Sequence, residues 1–150
     1  MIYIIQLITA LLGAAGFALL WNVEKKCIFP ASFCGFMAWA VYLLMHEAGN
    51  FNIFVSAFSA AVVTGVFAEI FARLLRAPST VFLIPGLVPL FPGSALYYTV
   101  SASVGGSWQD VRNYGLETVT FALGIACGAS IISAILASFR EIRKKRQKNS

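Results

Sequence analysis

Five long apolar runs, separated by short polar segments, follow one another along the chain. Each run is close to the roughly 20 residues that a helix needs to cross a bilayer. The pattern predicts five membrane-spanning helices, over residues 2–21, 28–46, 51–72, 80–104 and 114–139. Residues 46–50 are expected to form a polar turn, and residues 105–113 a polar loop. We therefore expect an all-α, polytopic integral membrane protein.

The fourth run is interrupted by three prolines, Pro85, Pro89 and Pro92. Each proline removes a backbone donor and crowds the preceding turn, so a regular helix here would leave carbonyl groups without partners. Transporters place broken helices of this kind at their substrate sites. After Pro92, Gly93 permits a sharp turn and Ser94 can cap a new half-helix. The fourth helix is predicted to be broken by proline and glycine; the alternative is a kinked helix with a structural role only.

Composition and charge agree with a membrane protein. Of the 150 residues, 59% are hydrophobic and 11% are charged, whereas a soluble domain has about 25% charged residues. The net charge of +5 comes mainly from a C-terminal cluster, Arg140, Arg143, Lys144, Lys145, Arg146 and Lys148. A nucleic-acid partner is not expected, because no aromatic–basic platform accompanies this cluster.

The positions of the basic residues predict the orientation. Residues 1–139 are expected to form the transmembrane domain, and residues 140–150 a basic cytoplasmic tail. With five spans, nearly all lysines and arginines fall on the side of the tail, as the positive-inside rule requires. The alternative is four spans with a fourth run that re-enters on its own side, which would place the six basic residues of the tail outside. The N-terminus is therefore predicted to lie outside the membrane and the C-terminus in the cytoplasm. Anionic membrane lipid is the expected partner of the tail.

Small residues recur at four-residue spacing in two of the runs. Ala57, Ala61 and Gly65 form one stripe in the third run, and Gly124 and Gly128 form a GxxxG pattern in the fifth. Such stripes allow two helices to approach closely in lipid. Packing within the chain is the favoured interpretation, and a face for a homo-oligomer is the alternative.

Two glutamates are candidates for carrying protons. Glu117 lies near the start of the fifth run, and Glu69 stands one helical turn before Arg73. Ionisable residues within membrane segments often have functional roles, although each of these is also suited to an interfacial position. No metal or cofactor site is expected, and the HExxH and GxSxG patterns of hydrolytic enzymes are absent. An enzyme is therefore not expected.

The proline segment also resembles a known signature. Residues 78–98 are similar to the motif of the threonine/serine exporter (ThrE-type) family, and in particular to its small second half, which many bacteria make as a separate YjjB-like subunit. The rest of the chain agrees with it in span count. The expected substrate-binding residues, combining the motif with the capping argument, are Pro85, Gly86, Pro89, Pro92, Gly93, Ser94 and Tyr97.

The resemblance implies a function that the composition alone does not. It implies a subunit of a proton-coupled secondary exporter in the bacterial inner membrane, working with a larger membrane subunit of the same family. Its substrates would be small hydrophilic metabolites, either threonine/serine-type amino acids or dicarboxylates such as succinate. The alternative is a structural membrane subunit that stabilises a partner without transporting anything.

Overall fold

The protein is a bundle of helices. A computed structural model describes the backbone of residues 2–148 and the side chains of residues 2–138. The α-helices in this part of the chain are α1 (Ile2–Leu20), α2 (Lys25–Leu43), α3 (Ile53–Leu75), α4 (Thr80–Leu87), α5 (Gly93–Gly105) and α6 (Trp108–Lys148). A π-helical turn, Leu44–Ala48, extends α2, and a 3-10 turn, Val88–Leu90, follows α4. Residues 2–148 contain no strand, which confirms the all-α prediction.

Four helical segments of the described chain are long and apolar enough to cross a membrane: Ile2–Leu20, Lys25–Ala48, Ile53–Leu75 and Trp108–Ser138. A fifth is formed by Thr80–Leu90 and Gly93–Gly105 if this bent pair is one span. The two halves of the pair meet at an angle of 51°. The predicted multi-pass fold with a broken fourth helix is confirmed. The predicted basic side chains of residues 140–150 lie outside the described side chains.

Helices α3 and α6 pack closely along their stripes of small residues. A Cβ atom built on Gly124 would lie 3.0 Å from the Cβ of Ala57, and one built on Gly128 would lie 2.9 Å from the Cβ of Ala61. The next contact along both helices is between Gly65 and Ile132. The stripes therefore pack against each other within the chain, as the favoured interpretation held. Because residue numbers rise together along both helices, α3 and α6 run in the same direction.

This parallel arrangement fixes the path of the broken helix through the bundle. Helix α4 runs antiparallel to α3, because Phe82 lies against Phe71, with ring centroids 6.2 Å apart, while Gly86 lies beside Thr64. The chain leaves α3 at one end of the bundle. Because α6 is parallel to α3, α6 begins at the opposite end. The segment from α4 to α5 therefore traverses the bundle. A re-entrant loop would instead have made α6 antiparallel to α3.

Alanine fills much of the core. The alanines that are fully buried are Ala14, Ala18, Ala31, Ala38, Ala57, Ala60 and Ala61. Small side chains let the backbones of neighbouring helices approach closely in lipid, where packing replaces the hydrophobic effect as the source of association. The larger buried side chains, Phe82 and Leu90, come from α4 and the 3-10 turn. The first half of the interrupted segment, α4 and the 3-10 turn, is thus embedded in the bundle.

Two predicted connections differ from the structure. Residues 46–48 were expected in a polar turn but belong to the π-helical turn, where the ring of His46 stacks on Tyr42 at 5.4 Å. The predicted loop 105–113 is also wrong, since only two residues separate α5 from α6. Gly106 adopts a positive φ of 76° that ends α5. The Ser107 hydroxyl then donates to the Asp110 carboxylate at 2.6 Å, which stabilises the first turn of α6.

Candidate functional site

The interrupted segment meets its backbone hydrogen-bonding needs by changing helix type. The N–H of Val88 donates to the carbonyl of Pro85, and that of Phe91 donates to the carbonyl of Val88 at 3.1 Å. These i to i+3 bonds replace the α-helical bonds that the prolines remove. The structure thus supplies partners for two of the carbonyls that a regular helix would have left free. The carbonyl oxygens of Pro85 and Val88 are therefore not unpaired acceptors for a cation.

The predicted cap of the second half-helix is wrong. Pro92 occupies the N-cap position of α5, and no side chain makes a capping hydrogen bond there. Ser94 lies inside the first turn instead and is exposed. The reason is local: the N–H of Gly93 donates to the carbonyl of Phe91 at 2.7 Å, and the helix begins with its N-cap two residues earlier than expected.

The first half of the proline motif is embedded between helices. Gly86 is buried where α4 meets α2 and α3, and an added Cβ would lie 2.8 Å from the Cβ of Cys34 and 2.9 Å from the Cγ2 of Thr64. Pro85 is also fully buried. Both residues pack α4 against the neighbouring helices, and this packing leaves no room for a solute beside Gly86.

Pro89 faces a different environment, a cavity of about 220 Å³ at the junction with α1 and α2. Gln6, Thr9, Ala10 and Trp39 complete its lining. Two buried atoms of these residues, the Oε1 of Gln6 and the Nε1 of Trp39, have no hydrogen-bond partner in the described part of the chain. An unpaired buried polar atom costs about 1–3 kcal/mol. The pair therefore marks a polar spot, missed by the sequence analysis, beside a proline of the motif.

The second half of the motif lies on the surface of the bundle. Gly93 has open space around it, and Tyr97 is 68% exposed. The Tyr97 ring contacts that of Tyr98, which in turn lies against Tyr114 of α6 with centroids 5.3 Å apart. The predicted substrate-binding residues are thus divided between a buried group, the Pro89 cavity and an exposed face of α5.

Glu69 lies in a different cavity, of about 230 Å³, formed by α3, the start of α4 and α6. The residue is 4% exposed. The Nε of Arg73 donates to its Oε1 at 3.2 Å, which confirms the predicted pair one helical turn apart. Hydroxyl-bearing residues Ser79, Thr80 and Ser133 share the lining. The sequence analysis identified the glutamate but missed these three residues, which come from other helices.

Glu117 lies towards the other end of the bundle and is exposed. Phe121, one helical turn after Glu117, lies against Tyr42 in the last turn of α2, with ring centroids 5.0 Å apart. Glu69 is opposite Leu136 of α6, so Glu117 precedes that level by about five helical turns, or roughly 28 Å. The structure therefore does not bring the two candidate proton carriers together, and only Glu69 is buried.

These features define a multi-pass helical membrane protein whose interrupted helix traverses its bundle. The family model described as threonine/serine exporter, ThrE, matches residues 6–135. The chain belongs to the threonine/serine exporter (ThrE) family, and the resemblance seen in the proline segment is confirmed. No solved structure matches the chain. The family is one of transporters, so a threonine/serine exporter-type role in membrane transport is supported.

Proposed function

We propose that this chain is the membrane subunit of a proton-coupled secondary exporter of small hydrophilic metabolites. The substrates are threonine/serine-type amino acids or dicarboxylates such as succinate. A larger membrane subunit of the same family completes the transporter in the bacterial inner membrane. The observation that carries the proposal is the interrupted segment of a ThrE-family chain, which traverses the bundle and lies beside two cavities with polar linings.

The substrate path in this proposal follows the interrupted segment from Pro89 to Tyr97. Pro89 is the residue best supported, because its cavity carries the unpaired atoms of Gln6 and Trp39. Those atoms are a hydrogen-bond acceptor and a donor, the pair of groups that a hydroxyl or an amide of a solute satisfies. The exposed residues Gly93, Ser94 and Tyr97 would then face the partner subunit or the membrane.

Proton coupling is assigned to a carboxylate, with Glu69 and Glu117 as the candidates. Burial favours Glu69, since a charged side chain kept inside a membrane bundle is costly and is retained chiefly for function. Glu69→Gln is expected to abolish the effect of a protonophore on efflux. The same result from Glu117→Gln, with Glu69→Gln fully coupled, would transfer the role to Glu117.

Efflux of preloaded, labelled serine, threonine and succinate tests the proposal. Cells lacking endogenous exporters express this chain alone, the larger subunit alone or both, with and without a protonophore. Protonophore-sensitive efflux is expected only when both subunits are present. Independent transport by this chain would contradict the two-subunit proposal.

Substitutions in the interrupted segment sharpen the test. Pro89→Ala combined with Pro92→Ala is expected to lower efflux, and Pro30→Ala, in α2 and outside the motif, serves as the matched proline control. Unchanged efflux in the double variant would count against a substrate path along this segment.

A structural subunit is the second candidate function. It is favoured by the buried half of the motif, because Pro85 and Gly86 serve packing. In that case the double proline variant would lower the abundance of the larger subunit while leaving efflux per assembled complex intact. Measuring both quantities in the same cells separates the two functions.

A further inference from the structure

A groove opens between α1 and the end of α2. The two helices pack closely near their middle, where a Cβ atom added to Gly35 would lie 2.5 Å from the Cβ of Ala14. Further along, where α2 passes into the π-helical turn, residues of both helices line a cavity of about 520 Å³. Ligand pockets in proteins have volumes of about 300–1,000 Å³. This α1–α2 groove is therefore large enough to hold a ligand or part of a lipid.

The wall of the groove is apolar. It is formed by Leu7 of α1 and by Ala40, Leu43 and Leu44 of α2. Between Ala40 and Glu47 the chain rises by roughly 10 Å, at about 1.5 Å per helical residue. Water and hydrophilic solutes find no hydrogen-bond partners along such a wall. An acyl chain of the surrounding bilayer needs none, so it is the occupant that the wall favours.

The groove ends where its two helices reach the membrane surface. Helix α1 begins at Ile2, and the span that contains α2 ends at Ala48. Tyr3 and Glu47 therefore lie at the ends of their spans, and the Tyr3 hydroxyl donates to the Oε2 of Glu47 at 3.4 Å. Tyrosine is enriched at this depth, because its ring contacts apolar groups while its hydroxyl reaches polar ones. The groove thus has a polar mouth at the level of the lipid headgroups.

The mouth of the groove carries a negative charge. Glu47 is exposed, and among the described side chains it forms no ion pair. The neighbouring His46 contacts other groups, since its Nδ1 lies 3.2 Å from the carbonyl oxygen of Phe51 and its ring stacks on Tyr42. No lysine or arginine lines the groove within the described residues. A cationic headgroup would be attracted to this mouth, and an anionic one would be repelled.

Ethanolamine is the cationic headgroup that fits the mouth best. Its ammonium group has three N–H donors and no acceptor. The Glu47 carboxylate and the Tyr3 hydroxyl oxygen are acceptors for such donors. A choline headgroup has the same charge but no N–H donor, and proteins recognise it with cages of aromatic rings. Among the described residues that line the groove, Tyr3 supplies the only aromatic ring.

We propose that the α1–α2 groove binds one phospholipid with an ethanolamine headgroup, its acyl chain along the apolar wall and its ammonium group at the Glu47 carboxylate. The lipid is not a transported solute, so the inference goes beyond the proposed function. It also differs from the contact expected between the basic tail and anionic lipid, because here the protein carries the negative charge. In the predicted orientation the groove opens to the outer leaflet.

A fluorophore placed at the groove tests the proposal without interference from lipid bound elsewhere. Leu44 lines the groove and is 64% exposed, so Leu44→Cys provides a thiol for bimane at its rim. Cys127→Ser removes the exposed native thiol, while Cys27 and Cys34 are buried. The full-length chain is reconstituted into phosphatidylcholine bilayers. These contain a small, fixed fraction of phosphatidylethanolamine, phosphatidylcholine or phosphatidylglycerol with the same nitroxide-labelled acyl chain, which quenches bimane on contact.

The matched label position is Leu123→Cys, on the lipid-facing side of α6. Leu123 is 53% exposed, and it lies at a similar depth to Leu44. Its neighbour Gly124 packs beside Ala57, one turn after the start of α3, and Leu44 lies one turn before the end of the α2 span. The three labelled lipids should quench equally at Leu123.

Labelled phosphatidylethanolamine is expected to quench most strongly at Leu44. An exposed ion pair changes an equilibrium constant by up to about fivefold, so its association with the groove should exceed that of phosphatidylcholine about two- to fivefold. Equal quenching by these two lipids would overturn the proposal, and so would a preference for phosphatidylglycerol. This comparison uses the unsubstituted Glu47 and does not depend on the folding of any glutamate variant.

Glu47→Gln should remove the advantage of phosphatidylethanolamine over phosphatidylcholine. Glu24→Gln is the matched control, since that carboxylate is also exposed but lies at the other end of α1 and α2, paired with Lys26; it should leave the advantage unchanged. An undiminished advantage in the Glu47→Gln variant would refute the role of this carboxylate.

The same measurement detects other occupants of the groove. If a helix of a second copy filled it, all three lipids would quench less at Leu44 than at Leu123, and the proposal would fail. Loss of the lipid preference only after the larger subunit is added would assign the groove to that subunit and would also overturn it.

Discussion

Gly128 is the position where the packing of α3 against α6 predicts the clearest effect on stability. An alanine Cβ there would lie 2.6 Å from the backbone carbonyl oxygen of Phe58 and 2.9 Å from the Cβ of Ala61. A backbone atom cannot rotate away, so relief requires α3 and α6 to separate along their shared stripe. Overpacking of this kind costs about 1–3 kcal/mol. We therefore expect Gly128→Ala to destabilise the fold, although alanine is the better helix former by about 1 kcal/mol.

Gly16→Ala in α1 is the matched control, because no atom lies within 4 Å of the added Cβ. Both substitutions gain the same helix propensity, so the difference between them isolates the steric cost. At about 2–4 °C per kcal/mol for a chain of this size, thermal unfolding in detergent should separate the variants by about 2–12 °C. Equal melting temperatures would refute the close approach of α3 and α6, and with it the parallel arrangement that makes the interrupted segment traverse the bundle.

Three further predictions concern the interrupted segment, the polar spot and the cysteines. Gly86→Ala should reduce the yield of folded protein, because its Cβ would lie within 3 Å of side-chain atoms of Cys34 and Thr64. Gly93→Ala should leave the yield unchanged, since no atom lies near its added Cβ. Equal yields, measured by size-exclusion chromatography, would contradict the close packing of α4 against α2 and α3. Gln6→Leu removes an unpaired buried acceptor, so it should raise the melting temperature by the equivalent of about 1 kcal/mol while lowering efflux; unchanged efflux would remove Gln6 from the substrate path. Maleimide treatment followed by mass spectrometry should give at most one adduct on the folded chain, at Cys127, and three after unfolding in denaturing detergent; rapid modification of Cys34 in the folded chain would contradict its burial.

The existence of the helices was predicted from the sequence more accurately than the residues at which they begin and end. Apolar runs identify α1, α2 and α3 because in lipid a helix must be apolar along its length. The run that became α6 was placed from residue 114, although the helix begins at Trp108. The signal for the earlier start was present in Ser107 and Asp110, whose side chains are hydrogen-bonded to each other at the first turn. Because the first turn of α6 is polar, hydrophobicity alone does not indicate where the helix begins.

The candidate site was harder to predict, since its residues come from different helices. Proline spacing placed the break in the fourth helix because each proline acts on its own backbone. Glu69 was recognised by its spacing from Arg73, which is a local property of one helix. The spacing of residues in sequence does not show that Ser133 lies across the same cavity, nor that Gln6 approaches Pro89. Those contacts depend on how helices pack, and one chain carries no periodic signal for them.

The two ends of the bundle differ in a way that bears on the transport cycle. Glu69 is buried in a cavity with hydroxyl groups, while Glu117 is exposed roughly five helical turns away. A coupling carboxylate works best where proton and substrate compete for the same oxygens, because occupancy by one then excludes the other. In the proposed transporter Glu69 is the stronger candidate for this role, because it is buried and lines a cavity. The interrupted segment begins at the rim of this cavity, in Ser79 and Thr80, and continues to Pro89. The cavity of Glu69 therefore adjoins the segment that traverses the bundle with interrupted helical bonding.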